Sequence, residues 1–364
     1  MDGVTSATDV TISGGGLSAI ALGVALNLDF GDAPSSYGEA GAALQVGYTG
    51  GDVPITTGTL DQNRGTPVFG SILLANTVQP SLRLGSSVDP EFSQAYSSNA
   101  SGDDAAGDPA QGGPDDEDGI SLPTKTVVTP GSSTTLSGIS CSGTGVIAGW
   151  IDWNANGVFD AGEASTTTPL CPAGGGTVNL SFSVPSSVLP TGGTLSTFLR
   201  LRIASTAGDL TPTGVAASGE VEDYPITLTT PPRLMLVKSV GTRASAADQF
   251  TVTASGAGLP GGAVSASTSG TQVIASTAVN YVQTGQTYTL TDAMAAGSAN
   301  PLSDYVPAAS CVDQANGNAK VATSGSAPNW TVSSLANGQY VVCTITNTAR
   351  PAELSVIKTA GTAT

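Results

Sequence analysis

Apolar and polar residues alternate with a period of two in several segments, which is typical of half-buried β-strands. Residues 177–184 (TVNLSFSV) and 197–203 (TFLRLRI) have the clearest alternation. The positions predicted to face the core are Val178, Leu180, Phe182 and Val184 in the first segment and Leu199, Leu201 and Ile203 in the second. The same alternation directs Arg200 and Arg202 outward, as in an antiparallel sandwich strand with one wet face.

Three later segments place a polar residue on the apolar face. Lys238 shares its parity with the leucines of LMLVKSV, Asp292 with the tyrosine and leucine of YTLTD, and Asn347 with the cysteine and isoleucine of CTITN. A buried lysine without a partner is expensive. We therefore expect Lys238 to lose its proton or to find a partner in the core.

Composition supports a chain of short strands joined by turns. The 364 residues include 47 glycines and 22 prolines, and only 11% are charged. The predicted fold is all-β, with tandem β-sandwich domains and long acidic loops in the first of them. The predicted boundaries are a tail of a preceding module at 1–25, one domain at 26–230, a second at 231–350 and the start of a further repeat at 351–364.

An internal repeat supports this division. Residues 234–242 (LMLVKSVGT) recur in similar form at 354–362 (LSVIKTAGT), and the proline-rich TTPPRL at 229–234 separates the two strand-rich halves. We expect the chain to be a slice of a repeat array whose neighbours are repeats of the same polypeptide. Its opening residues lack a signal-peptide pattern and residues 17–28 are too short to span a bilayer, so we expect an export signal further upstream and no membrane insertion here.

The formal net charge of −17 argues against nucleic acid and anionic membranes as partners and favours divalent cations. Four cysteines fall as two pairs, without a CxxC motif or any histidine, which favours two local disulfides in an oxidising compartment over zinc. Four cysteines allow three connectivities. Order along the chain favours Cys141 with Cys171 and Cys311 with Cys343.

Residues 152–163 (DWNANGVFDAGE) match the calcium-loop pattern D-x-[DN]-x-[DN]-G-x5-E. Calcium binds six to eight hard oxygens, and glycine at the sixth position allows the backbone torsion that the tight loop needs. The predicted ligands are Asp152, Asn154, Asn156, the carbonyl of Val158, Asp160 and Glu163. We predict a structural Ca²⁺ site without flanking helices; an Asx-rich hairpin turn is the alternative.

Further carboxylates cluster in four short stretches: DFGDAP at 29–34, VDPE at 88–91, DDEDG at 115–119 and GEVEDY at 219–224. Such clusters repel unless they are screened, spaced apart or bound to cations. One or two further calcium sites that gather the 85–119 segment and a plain solvated acidic surface are both consistent with the sequence.

These motifs carry a family resemblance. DFGDAPSSYG, LRLGSSVDPEF, SGDDAAGD, DDEDGI, GWIDWNANGVFDAGE and TPTGVAASGEVEDYPI occur in an order that resembles the GEVED domain over residues 26–230, with an inserted-looking stretch at 49–70. The resemblance implies a β-rich module of large secreted or surface-anchored bacterial proteins, without known catalytic activity.

The segment from 231 to 350 resembles the prealbumin-like, SpaA-like repeats of bacterial surface proteins, which are related to collagen-adhesin B-type and pilin stalk domains. The resemblance rests on LMLVKSVGT, YTLTDAM and YVVCTITNTA. It implies an Ig-like sandwich in which Lys238 and Asn347 condense into an isopeptide bond, assisted by Asp292 as a protonated acid. An ordinary ion pair between Lys238 and Asp292 is the alternative.

An enzyme is disfavoured because the chain has no histidine, no GxSxG motif and no cysteine outside the two predicted disulfides. The expected function is a non-catalytic stalk module of an extracellular adhesin-like bacterial protein, stabilised by calcium and cross-links. The alternative is calcium-dependent binding of an extracellular carbohydrate or protein by the acidic loops from 49 to 119.

Overall fold

The computed structural model describes residues 28–44, 47–48, 77–78, 80, 82–88, 93–102, 116–188 and 193–351. Within these ranges the chain consists of β-strands, turns and short 3-10 helices, without an α-helix. The predicted all-β class is confirmed. The proposed tail at 1–25, the inserted stretch at 49–70 and the second repeat copy at 354–362 lie outside the described residues.

The N-terminal unit, residues 28–229, contains twelve described strands. They are β1 (Leu28–Phe30), β2 (Ala40–Ala43), β3 (Gly47–Tyr48), β4 (Thr77–Val78), β5 (Arg83–Leu84), β6 (Thr126–Val127), β7 (Ser133–Ser142), β8 (Val146–Ile151), β9 (Gly176–Ser183), β10 (Thr194–Ala204), β11 (Gly214–Ala216) and β12 (Glu220–Thr229). The 3-10 helices are Ser35–Tyr37 and Ala207–Asp209. The sheets have the strand orders β6-β12-β10-β8, β5-β7-β9 and β1-β2-β11, and β3 pairs with β4.

The core of the N-terminal unit forms between the β6-β12-β10-β8 and β5-β7-β9 sheets. Leu199, Leu201 and Ile203 of β10 are buried there with Leu180 and Phe182 of β9. Their inward direction agrees with the period-2 prediction. The burial of these side chains is the main hydrophobic stabilisation of the sandwich.

The prediction that Arg200 and Arg202 face solvent is wrong. Both side chains are fully buried, because the third sheet, β1-β2-β11, covers the other face of β10 and β12. The Arg200 guanidinium pairs with Asp223, its cross-strand neighbour in β12, at 2.7 Å. Small residues of the covering sheet, Ala40 and Ala42, allow this close approach.

The C-terminal unit, residues 233–349, is a two-sheet sandwich of eleven described strands. They are β13 (Arg233–Thr242), β14 (Phe250–Ser255), β15 (Ala263–Ser267), β16 (Ile274–Ser276), β17 (Asn280–Tyr281), β18 (Thr287–Met294), β19 (Tyr305–Asp313), β20 (Ala319–Val321), β21 (Ser324–Ser326), β22 (Asn329–Ser333) and β23 (Tyr340–Ala349). The 3-10 helices are Pro260–Gly262, Leu302–Asp304 and Gln314–Asn316. The strand orders are β16-β13-β23-β19-β20, with β17 also on β13, and β15-β14-β18-β22-β21.

The first and last strands of the C-terminal unit lie side by side. β13 pairs with β23 in parallel, and β23 pairs with β19 in antiparallel orientation. The core between the two sheets contains Leu234 and Leu236 of β13, Leu290 of β18 and Ile345 of β23.

Candidate functional sites

The loop at 152–163 connects β8 to an extended segment and returns beside the strand that it leaves. Asp152 follows Ile151, the last residue of β8, and a bridge between Trp150 and Ala164 closes the base of the loop. Gly157 has φ +85°, the left-handed torsion that the motif assigns to glycine at this position. The loop leaves a β-strand rather than a helix, as expected.

Backbone amides organise the two carboxylates at the ends of this loop. Buried Asp152 accepts the N–H of Asn156 at 3.2 Å through Oδ1 and the N–H of Gly157 at 2.9 Å through Oδ2. Its Oδ2 also accepts the Tyr37 hydroxyl at 2.7 Å. Glu163 accepts the N–H of Trp153 at 2.9 Å through Oε1. The N-terminal 3-10 helix therefore holds the loop through Tyr37.

The middle of the loop is linked by side chains. The Nδ2 groups of Asn154 and Asn156 donate to Asp160 Oδ2 at 3.3 and 2.9 Å, and the Asp160 N–H donates to Glu163 Oε2 at 2.7 Å. Burial raises the pKa of Glu163 to about 7; the neighbouring amides lower it and the charges of Asp152 and Asp160 raise it further. A nearby cation would favour the charged form of this carboxyl.

The donor set fits calcium in its chemistry, since it consists of carboxylate and amide oxygens. The carboxylates of Asp152, Asp160 and Glu163 do not converge to within 4.8 Å of one another as a trio. Binding would thus require the side chains to turn inward, and the hydrogen bonds from Asn154 and Asn156 to Asp160 to be exchanged. The role of these residues as ligands stays a prediction.

The second candidate site lies in the core of the C-terminal unit. Lys238 on β13 and Asn347 on β23 are fully buried on the same face of one sheet, and Asp292 on β18 approaches from the facing sheet. Lys238 pairs in register with Ile345, so Asn347 is its diagonal neighbour. The sandwich thus brings together the three polar residues that strand parity places on the apolar faces.

Lys238 meets both a carboxylate and an aromatic ring. Its Nζ lies 3.1 Å from Asp292 Oδ1 and 4.9 Å from the centroid of the Phe250 ring, which packs edge-on against Tyr305. Burial lowers the pKa of Lys238 to about 8, against the opposing effect of Asp292. Burial raises the pKa of Asp292, and the Lys238 charge opposes this. Both shifts favour the neutral forms, so the free energies of the charged and the neutral Lys238–Asp292 pair lie closer together than they would in water.

Asn347 is the least satisfied member of this trio. Neither Asn347 Nδ2 nor Oδ1 has a hydrogen-bond partner within the described ranges, and Asp292 Oδ2 also lacks one. The amide lies near enough to Asp292 to lower its pKa, but its geometry falls short of a regular hydrogen bond. An unbonded buried amide costs about 1 to 3 kcal/mol.

Each unit contains one disulfide. Cys141 pairs with Cys171, with Cα atoms 6.0 Å apart, and Cys311 pairs with Cys343, with Cα atoms 4.0 Å apart. The second bond joins directly opposed residues of β19 and β23. These are the pairings that order along the chain favours.

The acidic GEVEDY stretch forms the start of β12 and is buried on both faces. Glu222 accepts the Gly119 N–H at 2.8 Å and the Tyr224 hydroxyl at 2.9 Å. Burial raises the pKa of Glu222 to about 8, and these two hydrogen bonds lower it. Burial also raises the pKa of Glu220 well above its usual range, with Glu222 and Asp29 adding to the rise. The stretch is therefore part of the interior rather than a solvated acidic surface.

Sequence comparison finds two family matches in adjacent regions of the chain. The family model of the GEVED domain matches residues 146–227, and the family model of a prealbumin-like fold domain matches residues 233–349. The chain therefore has a region similar to the GEVED domain followed by a region similar to a prealbumin-like fold domain. The matched GEVED region begins at β8, whereas the resemblance extends from residue 26; the match of the prealbumin-like domain nearly coincides with the predicted 231–350.

Solved structures similar to this chain are adhesins and pilins. One is an adhesin from Mobiluncus mulieris containing intramolecular disulfide, isopeptide and ester bond cross-links, with 14% identity, 63% of this chain and 95% of that chain covered, and a TM-score of 0.27. Another is the major pilin of Streptococcus pyogenes, with 14% identity, 61% and 99% covered, and a TM-score of 0.23.

Curated proteins include no match to the chain. In the described parts of the GEVED and prealbumin-like domains, no helix has the length and hydropathy needed to cross a bilayer.

Proposed function

We propose that the chain is a non-catalytic stalk segment of a large secreted or cell-surface bacterial adhesin-like protein, in which cross-links hold each unit against unfolding. The prealbumin-like domain match and a disulfide within each unit support a structural role. The observation that carries the proposal is the buried trio of Lys238, Asp292 and Asn347 across the core of the C-terminal unit.

The trio has the groups needed for an amide cross-link. The neutral Lys238 amine attacks the Asn347 side-chain carbonyl carbon, while protonated Asp292 donates a hydrogen bond to the carbonyl oxygen. The C–N bond of the side-chain amide then breaks, the nitrogen leaves as ammonia, and Asp292 relays the proton from the lysine nitrogen to the leaving group. The product is an isopeptide bond between β13 and β23.

The ion pair is the competing account of the same geometry. Lys238 and Asp292 at 3.1 Å form a buried salt bridge if no condensation follows. The unbonded Asn347 amide favours condensation, because the ion pair alone leaves it unsatisfied in an apolar core.

The intact mass of the chain under reducing conditions distinguishes the isopeptide bond from the ion pair. Condensation lowers the mass of the folded wild-type chain by about 17 Da, the mass of ammonia. The Asp292→Asn variant should show the full sequence mass, because its amide cannot supply the acid, whereas Asp304→Asn in the same unit should still condense. A wild-type chain at the full sequence mass would show that no isopeptide bond forms and that Lys238 and Asp292 form only an ion pair.

We also infer that the 152–163 loop holds a structural Ca²⁺ ion. Asp152, Asn154, Asn156, Val158, Asp160 and Glu163 would supply side-chain and backbone oxygens, and the ion would neutralise the loop's carboxylates. Chelation should lower the unfolding temperature of the wild-type N-terminal unit, and it should lower that of Glu163→Gln by less, because the variant has already lost the ion of this loop. An unchanged melting curve of the wild-type chain in chelator would reduce the loop to an Asx-rich turn.

A further inference from the structure

A compact trio of buried carboxylates lies away from the 152–163 loop. Asp29 belongs to β1, Asp116 to the segment before β6, and Glu220 is the first residue of β12. One oxygen from each residue lies within 4.8 Å of the others, and all three side chains are buried. Three separate parts of the chain thus converge on one acidic point.

The carboxylate of Glu220 is only partly satisfied by the protein. Its Oε2 accepts the N–H of Leu84 in β5, whereas Oε1 is buried without a hydrogen-bond partner among the residues described. Glu220 as a whole is 1% exposed, so its carboxylate is shielded from bulk solvent. A buried, unbonded carboxylate oxygen is costly unless a cation or a proton meets it.

Two buried arginines of β10 belong to the same unit as the trio. Arg200 binds Asp223 through two contacts of 2.7 Å. Arg202 is electrostatically coupled to Asp29, and its guanidinium donates to the carbonyls of Gly41 and Thr211. Three carboxylates that lie within 4.8 Å of one another repel when all of them are charged.

We propose that Asp29, Asp116 and Glu220 form a second Ca²⁺ site, which clamps the outer β1-β2-β11 sheet to β12. The donors are all hard oxygens, with neither histidine nor cysteine, which excludes the usual zinc and copper ligand sets. Oxygens within 4.8 Å of one another can surround an ion that lies about 2.4 Å from each. The ion would complete the coordination of Glu220 Oε1 and balance the local charge.

Calcium binding to the full chain tests this site separately from the 152–163 loop. Glu163→Gln disables the loop, so calcium still bound by that variant, counted by equilibrium dialysis after chelator treatment, reports on the trio. We expect one remaining ion per chain, lost when Glu220→Gln or Asp116→Asn is added and retained when Asp209→Asn is added as a charge-matched control. Unchanged binding in both trio variants, or a preference for Mg²⁺ over Ca²⁺, would overturn the assignment.

Thermal unfolding with and without Ca²⁺ distinguishes loss of the proposed ion from loss of a hydrogen bond of Glu220. Glutamine at 220 keeps a carbonyl oxygen for the Leu84 N–H and removes one buried charge. In chelator, Glu220→Gln should therefore melt at or above the wild-type temperature, and in millimolar Ca²⁺ it should melt below it. A variant that melts below the wild type by the same amount with and without Ca²⁺ would reduce Glu220 to a structural residue and contradict the site.

Discussion

Strand parity predicts the burial of some polar residues in this chain and misses the burial of others. Lys238, Asp292 and Asn347 lie on long strands with clean alternation, so their parity directs them into the core. Arg200 and Arg202 also lie on a long strand, but the sheet that buries them contains β1 (LDF) and β2 (AGAA), which are only three and four residues long and too short to be predicted from alternation. A cross-strand carboxylate, Asp223 opposite Arg200, is the available signal for their burial.

Replacement of Arg200 by methionine should strongly destabilise the N-terminal unit. The substitution leaves the Asp223 carboxylate buried with no opposite charge beside it, which typically costs about 3 to 5 kcal/mol in the free energy of unfolding. Urea unfolding measures this loss, and Lys125→Ala, at an exposed lysine of the same unit, is the control. A loss below about 1 kcal/mol would show that the pair is dispensable.

Asp248 should make the C-terminal unit sensitive to acid. Burial alone would raise the pKa of Asp248, but hydrogen bonds from Tyr305, Asn300 and Ala299 hold it well below its usual range. A depressed folded pKa means that the contribution to stability is present above the unfolded pKa of about 3.9 and is lost as the pH falls below it.

We therefore expect Asp248→Asn to cost about 2 to 3 kcal/mol in unfolding free energy at pH 7 and progressively less below about pH 4. Unfolding of both proteins in urea across this pH range measures the difference. Asp304→Asn provides the matched acidic control. A difference that stays constant down to pH 2 would contradict the role of the charged carboxylate.

At the scale of elements, the sequence predicts long strands well and their assembly less completely. The core strands β9, β10, β13, β18 and β23 follow from alternation, and the two disulfides follow from the order of the cysteines. The three-layer arrangement of the N-terminal unit does not follow, because β11 joins β2 in a parallel pair from a distant part of the chain. The cluster of Asp29, Asp116 and Glu220 cannot be predicted from the sequence for the same reason, since the three residues lie far apart along the chain.

The disulfide between β19 and β23 should stabilise the C-terminal unit measurably. Cys311 and Cys343 are 32 residues apart, and closure of such a loop is worth about 3 to 4 kcal/mol in the unfolded-state entropy model. The double replacement of these cysteines by alanine should lower the unfolding free energy of that unit by this amount, measured in urea. The same replacement at Cys141 and Cys171 should act on the N-terminal unit instead; a reversed or equal effect on both units would contradict their separate cores.

At the scale of the whole molecule, the two units have separate hydrophobic cores, and each contains its own disulfide bond. The link between β12 and β13 is only three residues long and includes Pro231 and Pro232. Such a short, proline-containing link is stiff, which suits serial transmission of tension from one unit to the next. The net charge of −17 would repel anionic partners.

Single-molecule stretching of the chain from both ends, under reducing conditions, tests the proposed stalk function most directly. An isopeptide bond between Lys238 and Asn347 removes roughly 110 residues from the force path, so the C-terminal unit should lack an unfolding step of about 370 Å. The Asp292→Asn variant should show that step, and Asp304→Asn should not. A step of this length in the wild-type chain would contradict the claim that the C-terminal unit is covalently locked.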